Sequence, residues 1–215
     1  MPQRIVFWRH GRTTWNAEQR FQGQSDIALD DTGIAQAARA AAMLASLQPT
    51  RIIASDLVRA TATAQPLADL TGLPVQVDAG LRETFAGAWE GLTRPELESR
   101  FGAELARWSS DPHARPGVTG ETRIEVADRV ADAVHRGLDG LEPDGLLVVV
   151  THGGAARAGI GRLLDLPPDH WAALGVLTNT SWSVLLENRT GHGPAWRLQE
   201  YNAGTLPEPA LADDR

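Results

Sequence analysis

The chain has 215 residues and a formal net charge of −7, and its 20 basic residues, all arginines, are set against 27 acidic residues. It contains no cysteine, which excludes disulfide bonds, cysteine-ligated zinc and a thiolate nucleophile. An acidic chain without a block of basic residues is a poor binder of nucleic acid or of an anionic membrane, so we expect neither as a partner.

The N-terminal sequence has no basic segment followed by an apolar one, and no apolar run approaches the length needed to cross a membrane. We therefore expect a cytoplasmic protein. At this length the default is a single domain with a substantial hydrophobic core.

The first half of the chain alternates apolar runs with helical patterns. Asp, Ser and Thr side chains cap helices at their first turn, whereas glycine and proline end them. The predicted elements are a strand at Ile5–Trp8, an ordered loop at Thr13–Asp31, a helix from Asp31 or Thr32 to about Leu47, a strand at Arg51–Ala54, a helix from Ser55 or Asp56 to Gly72, and a strand at Pro74–Val77.

The second half begins with a less regular segment, residues 85–120, which we predict to be an inserted flap with a short helix around Pro95–Phe101 and a loop at Asp111–Gly120. The elements predicted after it are a helix from the capping box at Thr122 to about Leu141, a strand at Leu146–Val150, a helix from His152-Gly153-Gly154 to about Leu164, a short helix at Pro167–Ala173, and strands at Ser181–Glu187 and Ala195–Tyr201.

Strands that alternate with helices predict an α/β fold of three layers, α/β/α, around a mostly parallel central sheet. We expect one domain at residues 1–202 and a frayed tail at residues 203–215, where two prolines and an acidic end occur.

Arg9-His10-Gly11 directly follows the first predicted strand. Ligands bind at the carboxyl ends of strands in an α/β sheet, and Gly11 lets the chain turn sharply there. Arg9 offers a planar set of donors that matches phosphate oxygens. His10, if neutral and held in one tautomer, is a nucleophile that can attack phosphorus and carry the group covalently. The tripeptide alone is equally compatible with two polar residues at a strand end.

Two more candidate residues occupy similar positions later in the chain. Arg59 lies near the first turn of a predicted helix, where free N–H groups favour an anion, although a lone arginine is most often a surface residue. His152 follows a predicted strand and precedes two glycines, so it can donate to a phosphoryl oxygen, ligate zinc or serve a structural role. The HExxH and Cys/His patterns of zinc sites are absent, which favours the phosphoryl site.

Hydrolysis of a phosphomonoester needs a proton for the leaving oxygen and then a base for the attacking water. One carboxyl group with a raised pKa can do both. Glu83 and Glu90 are the candidates, although either can be a solvated surface group. We prefer Glu83, because it ends its element ahead of a glycine-rich turn.

Four segments carry a resemblance to a known family: RHGRTTWN, SDLVRATATA, LRETFAGAWEG and VVVTHGGAAR. In this order they resemble the histidine phosphatase superfamily, which has the phosphoglycerate mutase-like fold, and the resemblance extends from Arg4 to about Asn202. It implies that His10 is the phosphorylated nucleophile and that Glu83 is the acid and base.

The resemblance also implies roles around the phosphoryl group. The residues implied to hold that group are Arg9, Arg59 and His152. Those implied to line the rest of the site are Asn16, Gln22, Gly23 and, from a Gly-Glu-Thr element that closes over it, Thr122. No metal and no other cofactor is implied, because the positive side chains supply the charge that magnesium supplies elsewhere.

The chain departs from the family pattern at Arg12, where Glu or Gln is usual. If Arg12 faces the pocket, it favours a second anionic centre on the substrate; if it faces outward, it is a solvated charge. We include Arg12 among the candidate substrate-binding residues.

The segment from Gly87 to Gly120 is shorter than the insertion of the cofactor-dependent mutases, which favours the phosphatase branch. Within that branch the chain resembles the actinobacterial glucosyl-3-phosphoglycerate phosphatases, which implies a small phosphorylated sugar acid as partner and a homodimer. The alternatives are a broad-specificity small-molecule phosphatase, a phosphoglycerate mutase and a silent phospholigand-binding module. The presence of His10, Glu83 and His152 counts against the silent module.

Overall fold

The computed structural model describes residues 1–204, which contain one six-stranded sheet. Its strands are β1 Arg4–Arg9, β2 Arg51–Ala54, β3 Val75–Val77, β4 Leu146–Thr151, β5 Trp182–Glu187 and β6 Trp196–Ala203. They lie in the order β3-β2-β4-β1-β5-β6. The first four are mutually parallel, whereas β5 and β6 run antiparallel to their neighbours.

Helices cover both faces of this sheet and thereby bury its central strands on both sides. The helices are α1 Thr14–Ala17, α2 Asp31–Ala45, α3 Val58–Thr71, α4 Arg94–Ser110, α5 Arg123–Leu138 and α6 Gly153–Leu163, with 3-10 turns at Ala79–Leu81, Gly87–Trp89 and Pro168–Ala173. In β1, Val6 and Trp8 pack in a cluster with residues of α2 and α3. Ile5 and Phe7 pack on the other side with residues of α5 and α6. The predicted three-layer α/β/α architecture is therefore confirmed.

Helix starts differ from the prediction where a cap comes from an unexpected residue. The N-cap of α2 is Asp30, whose carboxylate accepts a hydrogen bond from the Gly33 N–H at 2.7 Å. Helix α3 begins at Val58 without a side-chain cap from its own N-cap residue. Instead, Asp26 from the preceding loop accepts a hydrogen bond from the Val58 N–H at 2.7 Å. A distant carboxylate thus replaces the predicted local cap of Ser55 or Asp56.

Two segments contain more helix than predicted. The predicted loop from residue 13 to residue 31 contains α1, which a capping box between Thr13 and Asn16 begins. Helix α4 continues to Ser110, well past the predicted end near Phe101, where non-helical backbone angles mark a kink. The apolar side chains around α4 form a separate small cluster that includes Trp89, so the segment from residue 85 to residue 120 has a core of its own.

The C-terminal strand β6 runs to Ala203, two residues beyond its predicted end, and Ala203 pairs with Trp182 of β5. The remainder of the predicted tail, from residue 205 onward, lies outside the described residues. Among residues 1–204, none of the helices has the length and apolar character required to cross a membrane.

Candidate active site

Three neighbouring parallel strands end at the same edge of the sheet and bring three polar side chains together there. Arg9 at the end of β1 is in register with Thr151 of β4, and Ala54 at the end of β2 is in register with Val150 of β4. The residues that follow these strand ends are Ser55, His152 and His10. The imidazole rings of His10 and His152 have their centroids 5.1 Å apart. A cavity of about 260 Å³ opens at this edge, lined by residues that include His10.

His10 is 2% exposed and its ring is fixed by a backbone carbonyl. The Nδ1 atom lies 2.7 Å from the carbonyl oxygen of Gly11. Burial and the neighbouring charges of Arg59 and Arg9 hold the pKa of His10 well below its usual value, so the ring is neutral at pH 7. A carbonyl oxygen only accepts, so Nδ1 carries the proton and Nε2 has a free lone pair.

The backbone beside His10 is held tightly. A Cβ atom on Gly11 would stand 2.5 Å from the carbonyl oxygen of Gly33, which makes glycine necessary at this close approach. The Gly11 N–H donates to Thr63 Oγ1 at 3.0 Å. Asn179 donates from Nδ2 to the carbonyl oxygen of His10 at 3.1 Å. Sequence reasoning gave Asn179 no role, because only the antiparallel pairing of β5 beside β1 brings it here.

Arg59 and Arg9 line the cavity next to His10. Burial lowers the pKa of Arg59 to about 10, which leaves it charged at neutral pH. It donates to the carbonyl oxygens of Ser25 at 2.7 Å and Gly23 at 2.8 Å, and so ties the first loop to α3. Arg9 donates from Nη1 to the carbonyl oxygen of Leu177. Both guanidinium groups are thus oriented by backbone carbonyls, which suits them to bind an anion in a fixed geometry.

His152 lies next to His10 and is fully buried. It is not one of the described residues that line the cavity. Arg59 donates from Nε to His152 Nδ1 at 3.2 Å, and Ser55 Oγ lies 2.9 Å from His152 Nε2. Burial, Arg59 and His10 hold the pKa of His152 well below its usual value. A neutral His152 that accepts at Nδ1 donates from Nε2 to Ser55. The predicted donation from His152 to a phosphoryl oxygen stays a prediction.

The carboxylate of Glu83 lies at the N-terminus of α6 and lines the cavity. It accepts hydrogen bonds from the N–H groups of Gly154 at 2.9 Å, Ala155 at 2.9 Å and Thr84 at 2.8 Å. The first N–H groups of a helix have no partner within the helix, and the helix dipole favours a negative group there. The helix therefore holds Glu83 in one orientation, facing the cavity that His10 also lines.

Glu90, the competing carboxylate, has a structural position. It accepts hydrogen bonds from the N–H groups of Gln24 at 3.0 Å and Ala86 at 3.1 Å and from Ser25 Oγ at 2.7 Å. Glu90 thereby joins the first loop to the segment that follows Glu83. The geometry favours Glu83 over Glu90 as the group that can exchange a proton with a ligand.

The segment from residue 13 to residue 31 contributes three of the predicted site residues to the cavity wall: Asn16, Gln22 and Gly23. Asn16 Oδ1 accepts from the Thr13 N–H at 3.0 Å and from Asn179 Nδ2 at 3.2 Å. Gly23 has a φ of +53°, and a Cβ atom there would stand 2.2 Å from Glu90 Oε1. A glycine is required at this turn, where the loop passes close to Glu90.

Comparison with known proteins identifies the family. The family model described as histidine phosphatase superfamily (branch 1) matches residues 5–203. The chain belongs to the histidine phosphatase superfamily.

The relatives of this histidine phosphatase include enzymes named for one substrate. The chain is 42% identical to the glucosyl-3-phosphoglycerate phosphatase of Mycolicibacterium vanbaalenii, over 94% of this chain and 95% of that protein. A solved mycobacterial glucosyl-3-phosphoglycerate phosphatase in complex with VO3 has a TM-score of 0.85 and 42% identity, covering 94% of this chain and 99% of that one. A phosphoserine phosphatase of Entamoeba histolytica, solved with 3-phosphoglyceric acid, has a TM-score of 0.81 and 27% identity, covering 94% of this chain and 97% of that one.

Two residues predicted to bind substrate in this histidine phosphatase, Arg12 and Thr122, make their hydrogen bonds at the starts of helices. Arg12 donates from Nε to Asp30 at 2.8 Å and from Nη2 to Thr32 Oγ1 at 2.8 Å, at the start of α2. Thr122 caps α5, since its Oγ1 accepts from the Glu125 N–H at 3.1 Å. Neither Arg12 nor Thr122 is among the described residues that line the cavity, and a contact of either with substrate stays a prediction. Helix capping and an ion pair engage both side chains elsewhere.

The outer part of the cavity contains residues that sequence reasoning missed. Helix α4 supplies Leu97, Leu105 and Trp108, and the starts of α4 and α5 supply Arg94 and Arg123. Arg123, the residue after Thr122, is thus a lining residue of the cavity. Among residues 1–204, the structure brings together no group of three or more His, Asp or Glu side chains placed to hold a metal ion.

Proposed function

We propose that this histidine phosphatase hydrolyses a phosphorylated sugar acid such as glucosyl-3-phosphoglycerate, without a metal and through a phosphohistidine formed on His10. One observation carries the proposal: the His10 Nδ1–H is held by the Gly11 carbonyl oxygen at 2.7 Å, which leaves Nε2 as a nucleophile beside Arg59. Activation by a fixed tautomer and a depressed pKa is how a histidine becomes a nucleophile at neutral pH.

The first step transfers the phosphoryl group to His10. The Nε2 lone pair attacks phosphorus, the P–O bond to the sugar acid breaks, and Glu83 in its protonated form gives its proton to the leaving oxygen. Arg9 and Arg59 stabilise the charge that spreads over the remaining phosphoryl oxygens. His152 acts through Arg59, whose Nε–H it accepts at 3.2 Å, and is therefore a positioning residue in this proposal.

The second step releases phosphate. Glu83, now a carboxylate, takes a proton from a water molecule whose oxygen attacks phosphorus, and the P–N bond to His10 breaks. The hydrogen bonds from Gly154, Ala155 and Thr84 keep Glu83 in place for both proton transfers. One carboxyl group that alternates between acid and base satisfies the proton balance of the complete cycle.

The names of the relatives support the substrate class. The 42% identity to a glucosyl-3-phosphoglycerate phosphatase extends over 94% of the chain, so it includes the first loop and α4 as well as the phosphoryl site. A broad-specificity phosphatase with the same chemistry is the second candidate. The apolar side chains of Leu97, Leu105 and Trp108 favour it, because they offer an organic substituent contact area without selecting a particular one.

The experiment is phosphate release in excess EDTA from a panel of glucosyl-3-phosphoglycerate, its mannosyl analogue, 3-phosphoglycerate, a ribonucleoside monophosphate and p-nitrophenyl phosphate. We expect kcat/KM for the glycosylated acids to exceed the others by about 100-fold or more, equivalent to about 2.7 kcal/mol of transition-state discrimination. A flat profile would reduce the substrate proposal to the broad-specificity phosphatase. No release from any compound would contradict the proposed reaction itself.

We further propose a cytoplasmic homodimer built from a single domain at residues 1–202, with residues 85–120 as its flap. The absence of cysteine suits a reducing compartment, and the resemblance to the phosphatase branch supports the dimer. Light scattering after size exclusion tests the dimer, because the mass of one chain is 23.1 kDa. A single species at that mass would contradict it.

A further inference from the structure

The cavity is more positive than one phosphate group requires. The arginines among its lining residues are Arg9, Arg20, Arg59, Arg94, Arg123 and Arg157. Glu83 is the only carboxylate residue among the described residues, 1–204, that line the cavity. A phosphomonoester dianion is matched by Arg9 and Arg59, which adjoin His10. The other four arginines line the outer cavity, in a chain whose net charge is −7.

The outer arginines differ in what they contact. Arg20 forms an ion pair with Glu18 at 2.6 Å, and Arg94 forms one with Glu98 at 2.7 Å. Arg123 lies over the ring of Trp108, with 4.3 Å from its Cζ to the ring centroid. Arg157 makes neither a hydrogen bond nor an ion pair with any of residues 1–204. A half-buried guanidinium in that condition keeps its N–H donors available to an anionic ligand.

Tyr201 interacts electrostatically with Arg157, but it does not neutralise the charge of that arginine. Its hydroxyl donates to the carbonyl oxygen of Gly175, and burial raises the pKa of Tyr201 to about 12. The phenol is therefore neutral at pH 7 and supplies no negative charge to Arg157.

Arg157 lies on α6 within one turn of the N–H groups of Gly154 and Ala155 that hold Glu83. One face of α6 lines the cavity, as the spacing of its lining residues shows: Gly153, Gly154, Arg157 and Ala158. Helical side chains lean toward the helix N-terminus, and for Arg157 that direction is toward the turn whose N–H groups hold Glu83. In the proposed reaction Glu83 protonates the leaving oxygen. The substituent on that oxygen therefore passes close to Arg157.

We propose that Arg157 binds a second anionic group of the substrate, a carboxylate on the leaving alcohol, and so makes the enzyme selective for phosphorylated acids. This inference rests on the proposed function, since it assigns a contact within the same site. A carboxylate fits because a guanidinium donates two parallel hydrogen bonds to its two oxygens. Arg157 thereby replaces Arg12 as the residue that recognises the extra charge.

The test compares substrates that differ in the carboxylate alone. D-3-Phosphoglycerate and D-glycerol 3-phosphate (sn-glycerol 1-phosphate) share a phosphoester, a carbon chain and the configuration at C2, and only the first has a carboxylate. We expect Arg157→Gln to lower kcat/KM for 3-phosphoglycerate and for glucosyl-3-phosphoglycerate by about 10- to 100-fold and for glycerol 3-phosphate by less than about 3-fold. Arg157→Lys should recover part of the loss, because it restores charge without the paired donors.

Arg162→Gln is the matched control, since it removes an arginine from the same helix whose partner is Asp128, at 2.5 Å on the protein surface. It should leave both substrates unaffected. Equal losses on both substrates with Arg157→Gln, or no loss on either, would overturn the proposal. Fructose 1,6-bisphosphate and fructose 6-phosphate form a second pair, and a loss confined to the bisphosphate would replace the carboxylate with a second phosphate.

A binding measurement separates this inference from the proposed reaction. In a His10→Asn background, which cannot form the phosphohistidine, calorimetry gives Kd for 3-phosphoglycerate and for glycerol 3-phosphate directly. We expect tighter binding of the acid and loss of that preference on adding Arg157→Gln. Failure of turnover with a retained preference would contradict the reaction and leave the Arg157 site standing. Turnover without any preference would overturn the Arg157 site alone.

Discussion

Gly154 lies so close to Glu83 that a Cβ atom on residue 154 would stand 2.8 Å from the Glu83 Oε1 atom. The same two residues are joined by a hydrogen bond of 2.9 Å from the Gly154 N–H to Oε2. The glycine thus serves two purposes at once: it supplies a donor at the start of α6 and leaves space for the carboxylate that the donor holds. This relationship allows the orientation of Glu83 to be tested without changing Glu83 itself.

Substitution Gly154→Ala should displace the Glu83 carboxylate and lower kcat by about 10-fold or more, because a shift near 1 Å at a proton-transfer group has costs of this order. The group that must give way is the end of a flexible side chain, so we expect a small change in thermal stability. Gly175→Ala is the control, since nothing lies within 4 Å of its Cβ position. Equal kcat values for the two variants would show that Glu83 is not held as described.

Glu83→Gln should lower kcat by about 100- to 10,000-fold, because the amide neither protonates the leaving oxygen nor takes a proton from water. With p-nitrophenyl phosphate, whose leaving group needs little protonation, we expect the phosphohistidine to form and then accumulate as a burst of p-nitrophenol. Stopped-flow absorbance and acid-trapped phosphoenzyme measure the two steps.

Glu90→Gln is the matched control for Glu83→Gln. Glu90 holds Gln24, Ser25 and Ala86, so its amide variant should lower the melting temperature and raise KM without a burst. A burst with Glu90→Gln and none with Glu83→Gln would reverse the assignment of the two carboxylates.

The sequence predicted the strand ends that form the site because two local signals coincide there. A continuous apolar run such as Leu146–Val150 identifies a buried strand, and His152 with its glycines marks the end of that strand. Parallel strands then place their carboxyl ends at one edge, so the sequence alone predicts that His10 and His152 lie close together.

What the sequence did not predict depends on contacts between distant segments. Asp26 caps α3 from the first loop, and Asn179 reaches the His10 carbonyl oxygen from the start of β5. Arg12 was predicted as a possible substrate contact because it directly follows the RHG segment. In the structure its Nε–H donates to Asp30. Arg157 ends the VVVTHGGAAR segment, but that segment did not indicate a role for its side chain, since its place in the cavity follows from the direction in which α6 leaves the sheet edge.

The two buried histidines should carry opposite neutral tautomers at pH 7. His10 faces the Gly11 carbonyl oxygen with Nδ1, whereas His152 accepts from Arg59 at Nδ1 and faces Ser55 with Nε2. Long-range ¹H–¹⁵N correlation spectra of the rings distinguish the Nδ1–H form expected for His10 from the Nε2–H form expected for His152. His10→Asn assigns the first set of signals by removing it.

The same tautomer for both rings would contradict the hydrogen-bond assignment. We expect both rings to stay neutral at pH 6 as well, since burial holds the pKa of His10 and that of His152 well below the usual value of about 6.5. A ring that titrates at its usual pKa would show that the site is open to water.

The stability of the protein should fall as the pH drops below about 6.5, and the two buried histidines set the direction. Their pKa values are lowered in the folded protein, so between the folded and unfolded pKa values the unfolded chain binds more protons. The free energy of unfolding therefore rises with pH in this window, by at most about 1.4 kcal/mol per pH unit for each histidine, and this contribution is fully present above about pH 6.5.

Urea unfolding between pH 5 and pH 8 measures this slope. His10→Asn should reduce it by about half of the histidine contribution, because one of the two proton-binding differences is removed. His135→Asn, on the polar side of α5, is the control and should leave the slope nearly unchanged. A slope that His10→Asn does not alter would show that His10 is protonated as easily in the folded protein as in the unfolded chain, and would remove the basis for a neutral nucleophile.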